Sequence, residues 1–254
     1  METNGETMTL PSRFTVARGG SETFTAVGAD VTPVDNRSSS HAWGDYDDDG
    51  DLDLVVTGNA ESGDATTTLY RNEGGTLTPT DVELKDLFSS SVEWGDYNGD
   101  GRLDLLLTGR PGGGEENVVV YRNMGNERFQ KVIDSNNREL MPSCCRGSDV
   151  GRGIDGVVGG QGTWADHDAD GDLDLLIGGF VEGGDQTSLT TRLYRNDEEE
   201  IFRWATYPRP QTLRQFFRTD GGTTVEWGDY NNDGHDDVVV TTGSGANVYR
   251  NRGD

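Results

Sequence analysis

Aspartate recurs at alternate positions in four short loops of this 254-residue chain. The first loop lies in the segment WGDYDDDGDLDLVVTG, residues 43–58, where six aspartates fall within nine residues and an apolar run follows. When each loop is numbered from its first aspartate, oxygen-bearing side chains stand at positions 1, 3, 5 and 9, and a glycine stands at position 6. Such alternating oxygen donors, with a glycine where the loop must turn sharply, suit Ca²⁺. The sequence therefore predicts four metal loops.

Each predicted site uses the side chains of positions 1, 3, 5 and 9 and the backbone carbonyl of position 7. The predicted metal residues are Asp45, Asp47, Asp49, Asp51 and Asp53 in the first loop, Asp96, Asn98, Asp100, Arg102 and Asp104 in the second, Asp166, Asp168, Asp170, Asp172 and Asp174 in the third, and Asp229, Asn231, Asp233, His235 and Asp237 in the fourth. Position 7 varies among aspartate, arginine and histidine, as expected if only its carbonyl binds. We expect about four Ca²⁺ ions.

The loops differ from other metal sites. An EF-hand closes with an acid at position 12, whereas position 12 is apolar in all four copies: Val56, Leu107, Ile177 and Val240. Magnesium is a weaker candidate, because it keeps more water and fewer protein ligands. Soft metals are disfavoured, since neither cysteine nor histidine recurs at the ligand positions.

The charge balance also favours bound cations. Lys plus Arg is 21, Asp plus Glu is 46, and the formal net charge is −25, with only 31% hydrophobic residues. Such a composition approaches that of disordered chains, and four Ca²⁺ would reduce the formal charge to −17. This acidity disfavours nucleic acids and acidic membrane surfaces as partners.

The two cysteines, Cys144 and Cys145, are adjacent and form no disulfide framework. We find neither an apolar run long enough to span a membrane nor a signal-peptide pattern in residues 1–12.

The loops belong to a larger repeat. The motif begins at Trp43, Trp94, Trp164 and Trp227, at intervals of 51, 70 and 63 residues. A Tyr-Arg-Asn motif follows each copy, at Tyr70, Tyr121, Tyr194 and Tyr249, and is interpreted as a structural hydrogen-bonding and packing device. Short apolar runs alternate with glycine-rich turns, which is typical of three to four β-strands per unit. Units of this size predict the blades of a β-propeller.

We predict an all-β fold, a propeller of about four blades, each a four-stranded antiparallel sheet with a Ca²⁺-binding loop. A single domain covers residues 1–254, with closing strands in residues 1–35 and repeats beginning near residues 36, 88, 158 and 221. The last repeat ends after its Tyr strand, so an N-terminal strand at residues 22–27 is expected to complete it. A further candidate strand, residues 13–17, leaves open a larger ring. Self-association is expected if the ring is incomplete.

These repeats resemble the FG-GAP/VCBS repeat of integrin α-chain propellers and many bacterial surface proteins. The resemblance rests on the calcium loops and on Trp-Gly at the FG position, which is Trp-Ala in the third copy, Trp164-Ala165. It covers roughly residues 36–254. The resemblance implies a propeller with Ca²⁺ at the blade hairpins, and leaves the function open, because one fold serves receptors, lectins and some enzymes.

Residues that depart from the repeat are candidates for ligand binding. The segment FRWATYPRPQTLRQFFR places aromatic and basic residues on an otherwise acidic chain, and the ligand-binding candidates are Arg203, Trp204, Tyr207 and Arg209. Such a patch suits a sugar ring or an anionic partner; packing over the neighbouring blade is the alternative. Catalytic motifs are absent from the sequence, and an enzyme is not expected.

We therefore expect a calcium-stabilised β-propeller binding module, extracellular or at the cell surface, that recognises carbohydrate or a protein surface. Two alternatives remain at this point. One is a purely structural repeat from a larger surface protein, and the other is a propeller enzyme that acts on polysaccharide.

Overall fold

The computed structural model describes residues 13–15, 23–25, 31, 34, 39–112, 117–134, 157–183, 186–197, 201–204, 224–242 and 245–253. Within these ranges the regular secondary structure is β-strand throughout. This part of the chain contains no helix with the length and apolar character that crossing a membrane requires. Cys144 and Cys145 lie outside the described residues.

The chain divides into two compact units, Met1–Asp30 and Val31–Asp254. In the first unit, strand β1 (Arg13–Thr15) pairs antiparallel with strand β2 (Thr23–Thr25). Both segments predicted as N-terminal strands are therefore strands, and they pair with each other. Completion of the last blade by an N-terminal strand, and the single-domain boundary, stay predictions.

The second unit contains four antiparallel sheets, which we call blades 1 to 4. Blade 1 has β3 (Ser40–Gly44), β4 (Asp53–Asn59), β5 (Ala65–Glu73) and β6 (Thr76–Pro79); blade 2 has β7 (Phe88–Gly95), β8 (Asp104–Arg110), β9 (Asn117–Asn123) and β10 (Phe129–Asp134); blade 3 has β11 (Val158–Ala165), β12 (Asp174–Gly183), β13 (Gln186–Asp197) and β14 (Ile201–Trp204); blade 4 has β15 (Thr224–Gly228), β16 (Asp237–Thr242) and β17 (Gly245–Tyr249). In every sheet the spatial order follows the chain order. The predicted all-β, propeller-type fold is confirmed.

The second strand of each blade explains why the sequence runs apolar after each acidic loop. In blade 1, Asp53 to Gly58 on β4 are all buried, and in blade 2, Asp104 to Gly109 on β8 are all buried. A strand covered on both faces reads as a continuous apolar run, because neither set of alternating side chains reaches water. The apolar clusters accordingly combine side chains of successive blades.

Successive blades contact each other through a repeated aromatic pair. Tyr46 of blade 1 stacks on Trp94 of blade 2, with ring centroids 6.1 Å apart and an interplanar angle of 8°. Tyr97 of blade 2 stacks on Trp164 of blade 3 at 5.8 Å and 12°. Parallel, offset rings at these distances are a favourable aromatic geometry. Trp94 and Trp164 therefore each belong to the core formed with the preceding blade.

In blades 1 and 2, the glycine after the tryptophan makes room for the next blade. A Cβ atom on Gly44 would lie 2.6 Å from Cδ1 of Trp94, and one on Gly95 would lie 2.6 Å from Cδ1 of Trp164. Such distances are shorter than real Cβ contacts, so a side chain at either position would push the neighbouring indole away. The Trp-Gly pair is thus a packing device: the tryptophan faces one neighbouring blade and the glycine faces the other.

A partly buried acid lies between blades 2 and 3. Oε1 of Glu93 accepts a hydrogen bond from Oγ1 of Thr163 at 3.1 Å and a longer one from the Trp164 backbone N–H at 3.5 Å. Burial raises the pKa of the Glu93 carboxyl from 4.5 to about 7, and the carboxylate of Glu226 adds to the rise. The folded state therefore binds more protons than the unfolded state between these pH values. The stability contributed by Glu93 is complete below about pH 4.5 and is lost as the pH rises through about 7.

We expect Glu93→Gln to stabilise the chain by about 1–2 kcal/mol at pH 8 and to have little effect at pH 4.5. Glutamine keeps an acceptor for Thr163 and removes the buried charge. Urea unfolding of the variant and the wild type across this pH range measures the difference. Glu226→Gln, at an exposed position, is the matched control and should show a much smaller pH dependence. An equal effect of Glu93→Gln at both pH values would contradict this account.

Candidate metal centres

The first aspartate of each loop fixes the turn with both carboxylate oxygens. In loop 1, Oδ1 of Asp45 accepts the N–H of Asp49 at 3.0 Å, and Oδ2 accepts the N–H of Gly50 at 3.0 Å. The same two bonds recur on Asp96, Asp166 and Asp229, at 2.8–3.1 Å. Four loops of different composition therefore share one backbone conformation.

Position 5 continues the turn. In loop 1, Oδ1 of Asp49 accepts the N–H of Asp51 at 2.9 Å, and the equivalent bonds in the other loops measure 3.1–3.2 Å. The side chains of position 7 make other contacts: Oδ2 of Asp51 accepts the N–H of Gly74, and Arg102 pairs with Asp100. Coordination by the carbonyl of position 7 stays a prediction.

Two positions of each loop adopt a left-handed backbone. The glycines of position 6 have φ between 85° and 99°, as the sequence led us to expect. Position 4 was not predicted to be left-handed, yet its φ is 62°, 67°, 59° and 57° at Asp48, Gly99, Ala169 and Asn232. Aspartate, glycine and asparagine tolerate this region best, so the residue types carried a usable signal in three loops. Only Ala169 gave none.

Position 9 has a second role that sequence reasoning did not find. Its carboxylate is fully buried, and its Oδ1 accepts the backbone N–H of the asparagine in the Tyr-Arg-Asn motif, so that it links the loop to the third strand. The four bonds join Asn72 to Asp53, Asn123 to Asp104, Asn196 to Asp174 and Asn251 to Asp237, at 2.7–2.8 Å. The aspartate of position 9 is thus part of the hairpin as well as a candidate ligand.

The other oxygen of position 9 divides the loops into two kinds. In loops 2 and 4, position 3 is asparagine: Nδ2 of Asn98 donates to Oδ2 of Asp104 at 2.8 Å, and Nδ2 of Asn231 donates to Oδ2 of Asp237 at 3.0 Å. In loops 1 and 3, position 3 is aspartate and cannot donate when ionised. Two carboxylates then lie close together; in loop 3 the His167 ring also contacts Asp174, so a cation is most needed in loop 1.

The donor atoms of loops 1 and 3 fit one ion. Asp45, Asp47 and Asp53 each offer an oxygen, and these atoms lie within 4.8 Å of one another; so do oxygens of Asp166, Asp168 and Asp170. Because Ca²⁺ binds oxygen at 2.3–2.6 Å, two donors on one ion lie at most about 5 Å apart. A third group combines His167, Asp168 and Asp174, and the His167 ring contacts Asp174 directly. Hard oxygen donors dominate all three groups, as Ca²⁺ requires.

Burial and neighbouring like charges raise the pKa values of the loop carboxylates. Burial raises the pKa of Asp53 to about 6 and that of Asp104 to about 7, with smaller contributions from neighbouring aspartates. The pKa of Asp47 and that of Asp168 are also raised, chiefly by burial. A bound cation would oppose these shifts, because it stabilises the ionised form. The electrostatics of the loops therefore suit a metal ion.

Arginines of the Tyr-Arg-Asn motif partly neutralise three of the loops. Arg122 reaches Asp100 at 3.3 Å, Arg195 reaches Asp168 at 3.2 Å and Arg250 reaches Asp233 at 2.7 Å. In blade 1, the described ion pairs of Arg71 join it to Glu73 at 2.6 Å and to Glu127 at 2.8 Å instead. Among the described ion pairs, the motif arginine of blade 1 therefore makes none with loop 1, which has the most aspartates.

The tyrosine and asparagine of the same motif are structural, as predicted. Tyr70, Tyr121 and Tyr194 are buried. Nδ2 of Asn123 donates to the carbonyl of Tyr46, at position 2 of the preceding loop, at 2.7 Å. The equivalent bonds from Asn196 to Tyr97 and from Asn251 to His167 measure 2.6 and 2.7 Å. Loops 1, 2 and 3 are therefore each joined to the next blade.

The predicted ligand-binding patch is described only in part. Arg203 and Trp204 lie on β14, the last strand of blade 3, where their backbones pair with Arg195 and Tyr194. Tyr207 and Arg209 lie outside the described residues. Ligand binding by these four residues stays a prediction.

Comparison with known protein families agrees with the geometry. Residues 45–107 and 166–240 match the FG-GAP-like repeat, and together they cover more than half of the chain. The two matched ranges include all four metal loops. No curated protein matches the chain. FG-GAP repeats are typical of extracellular and surface proteins and often bind calcium. By its repeats and its fold, the chain belongs to the FG-GAP-like repeat family.

Proposed function

We propose that this chain is a calcium-stabilised β-propeller module that binds carbohydrate or a protein surface outside the cell. The observation that carries the calcium proposal is the set of four loops with one conformation, two of which bring three carboxylates within 4.8 Å of one another. A binding role is favoured over a catalytic one, because the acidic residues that cluster in the described ranges serve the loops and the blade contacts.

Bound Ca²⁺ would neutralise part of the negative charge of the loops in this fold. The formal charge of −25 is concentrated in the loops that begin the buried strands, and like charges a few ångströms apart repel strongly where water is partly excluded. An ion that binds the folded chain and not the unfolded chain stabilises it by mass action. Extracellular fluids hold enough Ca²⁺ to fill sites even of the weak affinity found in extracellular modules.

The calcium proposal predicts a large rise in melting temperature with excess Ca²⁺ relative to chelator. At a free concentration about 100 times Kd, each filled site adds about 2.7 kcal/mol. Differential scanning calorimetry, with a metal count on the purified protein, measures both quantities. Mg²⁺ at the same concentration is the control and should give a smaller shift. A chain that melts at one temperature in Ca²⁺ and in chelator, and carries no metal, would exclude the calcium proposal.

The ligand proposal is tested separately. We expect the calcium-loaded chain to bind members of a glycan array or an extracellular matrix protein, and we expect substitution of Arg203, Trp204 or Tyr207 by alanine to weaken that binding at least tenfold while the melting temperature stays unchanged. Arg128→Ala, at an exposed position of blade 2, is the matched control. Turnover of a polysaccharide by the chain would instead support the enzyme alternative.

A further inference from the structure

Each blade has two different faces. We call leading face the side that bears the tryptophan of the Trp-Gly pair, and trailing face the side that bears the glycine and the aromatic residue at loop position 2. Inside the chain, a trailing face always meets the leading face of the next blade, as Tyr46 meets Trp94 and Tyr97 meets Trp164. Blade 4 follows this order on blade 3, where Trp227 and Leu193 both pack against a cluster that contains Leu176 and Val240.

The trailing face of blade 4 is exposed. Tyr230 occupies loop position 2 and is 62% exposed, whereas its counterparts Tyr46 and Tyr97 are 3% and 1% exposed. Val248, the residue before the tyrosine of the Tyr-Arg-Asn motif, is 57% exposed, whereas its counterpart Val120 is fully buried. Exposed apolar side chains in positions that are core elsewhere in the same chain indicate an interface without its partner.

The glycine of this face shows the same difference. A Cβ atom on Gly228 would meet nothing within 4 Å. At the internal contacts, a Cβ on Gly44 or Gly95 would collide with the next tryptophan at 2.6 Å. Blade 4 therefore keeps the space for an incoming indole, and the described residues place none in it.

The leading face of blade 1 is the complementary half. Trp43 is 51% exposed, whereas its counterpart Trp164 is buried, and Leu52 at loop position 8 is 57% exposed. The counterpart of Leu52 is Leu103, whose Cδ1 lies 3.0 Å from the Cβ position of Gly44 on the preceding blade.

The hydrogen bond by which the asparagine of the Tyr-Arg-Asn motif joins its blade to the preceding blade also differs in blade 1. Nδ2 of Asn123 donates to Tyr46 of the preceding blade at 2.7 Å and also to Leu103 of its own blade at 3.1 Å. In blade 1, the described bond of the Asn72 Nδ2 goes to Leu52 of its own blade at 2.9 Å. Blade 1 therefore carries the asparagine donor for a hydrogen bond to a preceding blade. Blade 4 carries the loop carbonyl that would accept such a bond from a following blade.

Part of the leading face of blade 1 is covered by its own chain. Val31 and Val34 pack against Leu54, Val56 and Tyr70, which lie along the strands of this face. The uncovered area is therefore the loop end, which bears Trp43 and Leu52. This end corresponds to the area where Trp94 and Leu103 contact Gly44 within the chain.

We propose that the trailing face of blade 4 binds the loop end of the leading face of blade 1 in a second copy of this chain. The contact would repeat a geometry that the chain already forms between its own blades, and the two faces are exposed together in one copy. Head-to-tail contacts of this kind close into rings when the rotation permits. Two copies would bring together eight blades, within the range of four to eight that propellers use. This inference goes beyond the proposed function and requires neither the calcium nor the ligand proposal.

The oligomeric state tests the proposal. The purified chain, in Ca²⁺ and 150 mM NaCl to screen its negative charge, is measured by size-exclusion chromatography with light scattering from 1 to 100 µM (concentrations of about this range span typical Kd values for weak dimers). We expect a mass of about twice 27.6 kDa at the upper concentrations. A mass of 27.6 kDa at every concentration would overturn the proposal.

Variants of one face each distinguish a head-to-tail contact from other dimers. Gly228→Leu fills the trailing face, where the single chain has room for it, and Leu52→Asp or Trp43→Thr disables the leading face. Each variant alone should be monomeric and should melt like the wild type at concentrations where the wild type is monomeric. An equimolar mixture of Gly228→Leu with Leu52→Asp should again contain dimer. Gly112→Leu, at another exposed glycine with open space, is the matched control and should dimerise. Dimers that survive both face variants, or a mixture that stays monomeric, would exclude the head-to-tail contact.

Discussion

Replacement of Trp94 by alanine is expected to destabilise the chain by about 3 kcal/mol, and the same replacement at Trp43 by less than about 1 kcal/mol. Trp94 stacks on Tyr46 and lies 6.2 Å from Phe129, so its removal leaves a cavity between blades 1 and 2. Trp43 holds the same place in the repeat but is half exposed. Two residues with the same sequence context should therefore differ several-fold in their contribution to stability.

Urea unfolding in Ca²⁺ measures this difference. Both replacements are made in the Gly228→Leu background, so that the proposed contact with a second copy does not contribute. Trp164→Ala is a second internal case and should resemble Trp94→Ala, since Trp164 stacks on Tyr97. Equal destabilisation by Trp43→Ala and Trp94→Ala would show that the leading face of blade 1 is covered in solution.

Asp47→Ala is expected to act in opposite directions with and without calcium. In chelator, the variant should be more stable than the wild type by at most a few tenths of a kcal/mol, because it removes a carboxylate whose pKa is raised by desolvation and by Asp49 and Asp45, and water screens this exposed group. With Ca²⁺ at about 100 times Kd, it should be less stable by about 2–3 kcal/mol, because one ion is lost. Calorimetric melting of both proteins under both conditions gives the four values.

Asp48→Ala is the matched control for this change. Asp48 is the next residue, carries the same charge and is exposed at position 4, which is not a ligand position. Ala169 already occupies position 4 of loop 3 at a similar φ of 59°, so alanine is compatible with the turn. The control should respond to calcium like the wild type. If both variants lose the calcium response equally, net charge and not coordination explains the effect.

The sequence predicted the features that repeat without change. The acids of positions 1 and 5, the glycine of position 6 and the apolar strand after it each have a local cause. The acids and the glycine belong to a tight turn whose backbone N–H groups need acceptors, and the strand is covered on both faces. These features can be recognised because they occur four times in the chain. The structure confirms the glycine turn and the buried strand, and coordination by the acids stays a prediction.

Other features depend on what lies across space. The asparagine that follows Tyr121 and Arg122 contacts both the aspartate of its own blade and a carbonyl of the blade before it, and a motif does not indicate its partner. The different ion pairs of Arg71 and Arg122 arise from Glu127, which lies in another blade. The exposure of Trp43 and Tyr230 follows only from their places in the order of the blades.

The asparagine bond between blades gives the array a direction. Because Asn123 holds the carbonyl of Tyr46, and Asn196 that of Tyr97, each calcium loop is clamped by the blade that comes after it. In an array whose units touch only their neighbours, stability is a sum of unit terms and junction terms. Among the described residues no such clamp holds loop 4, so local unfolding of the array should begin at loop 4 and proceed toward blade 1.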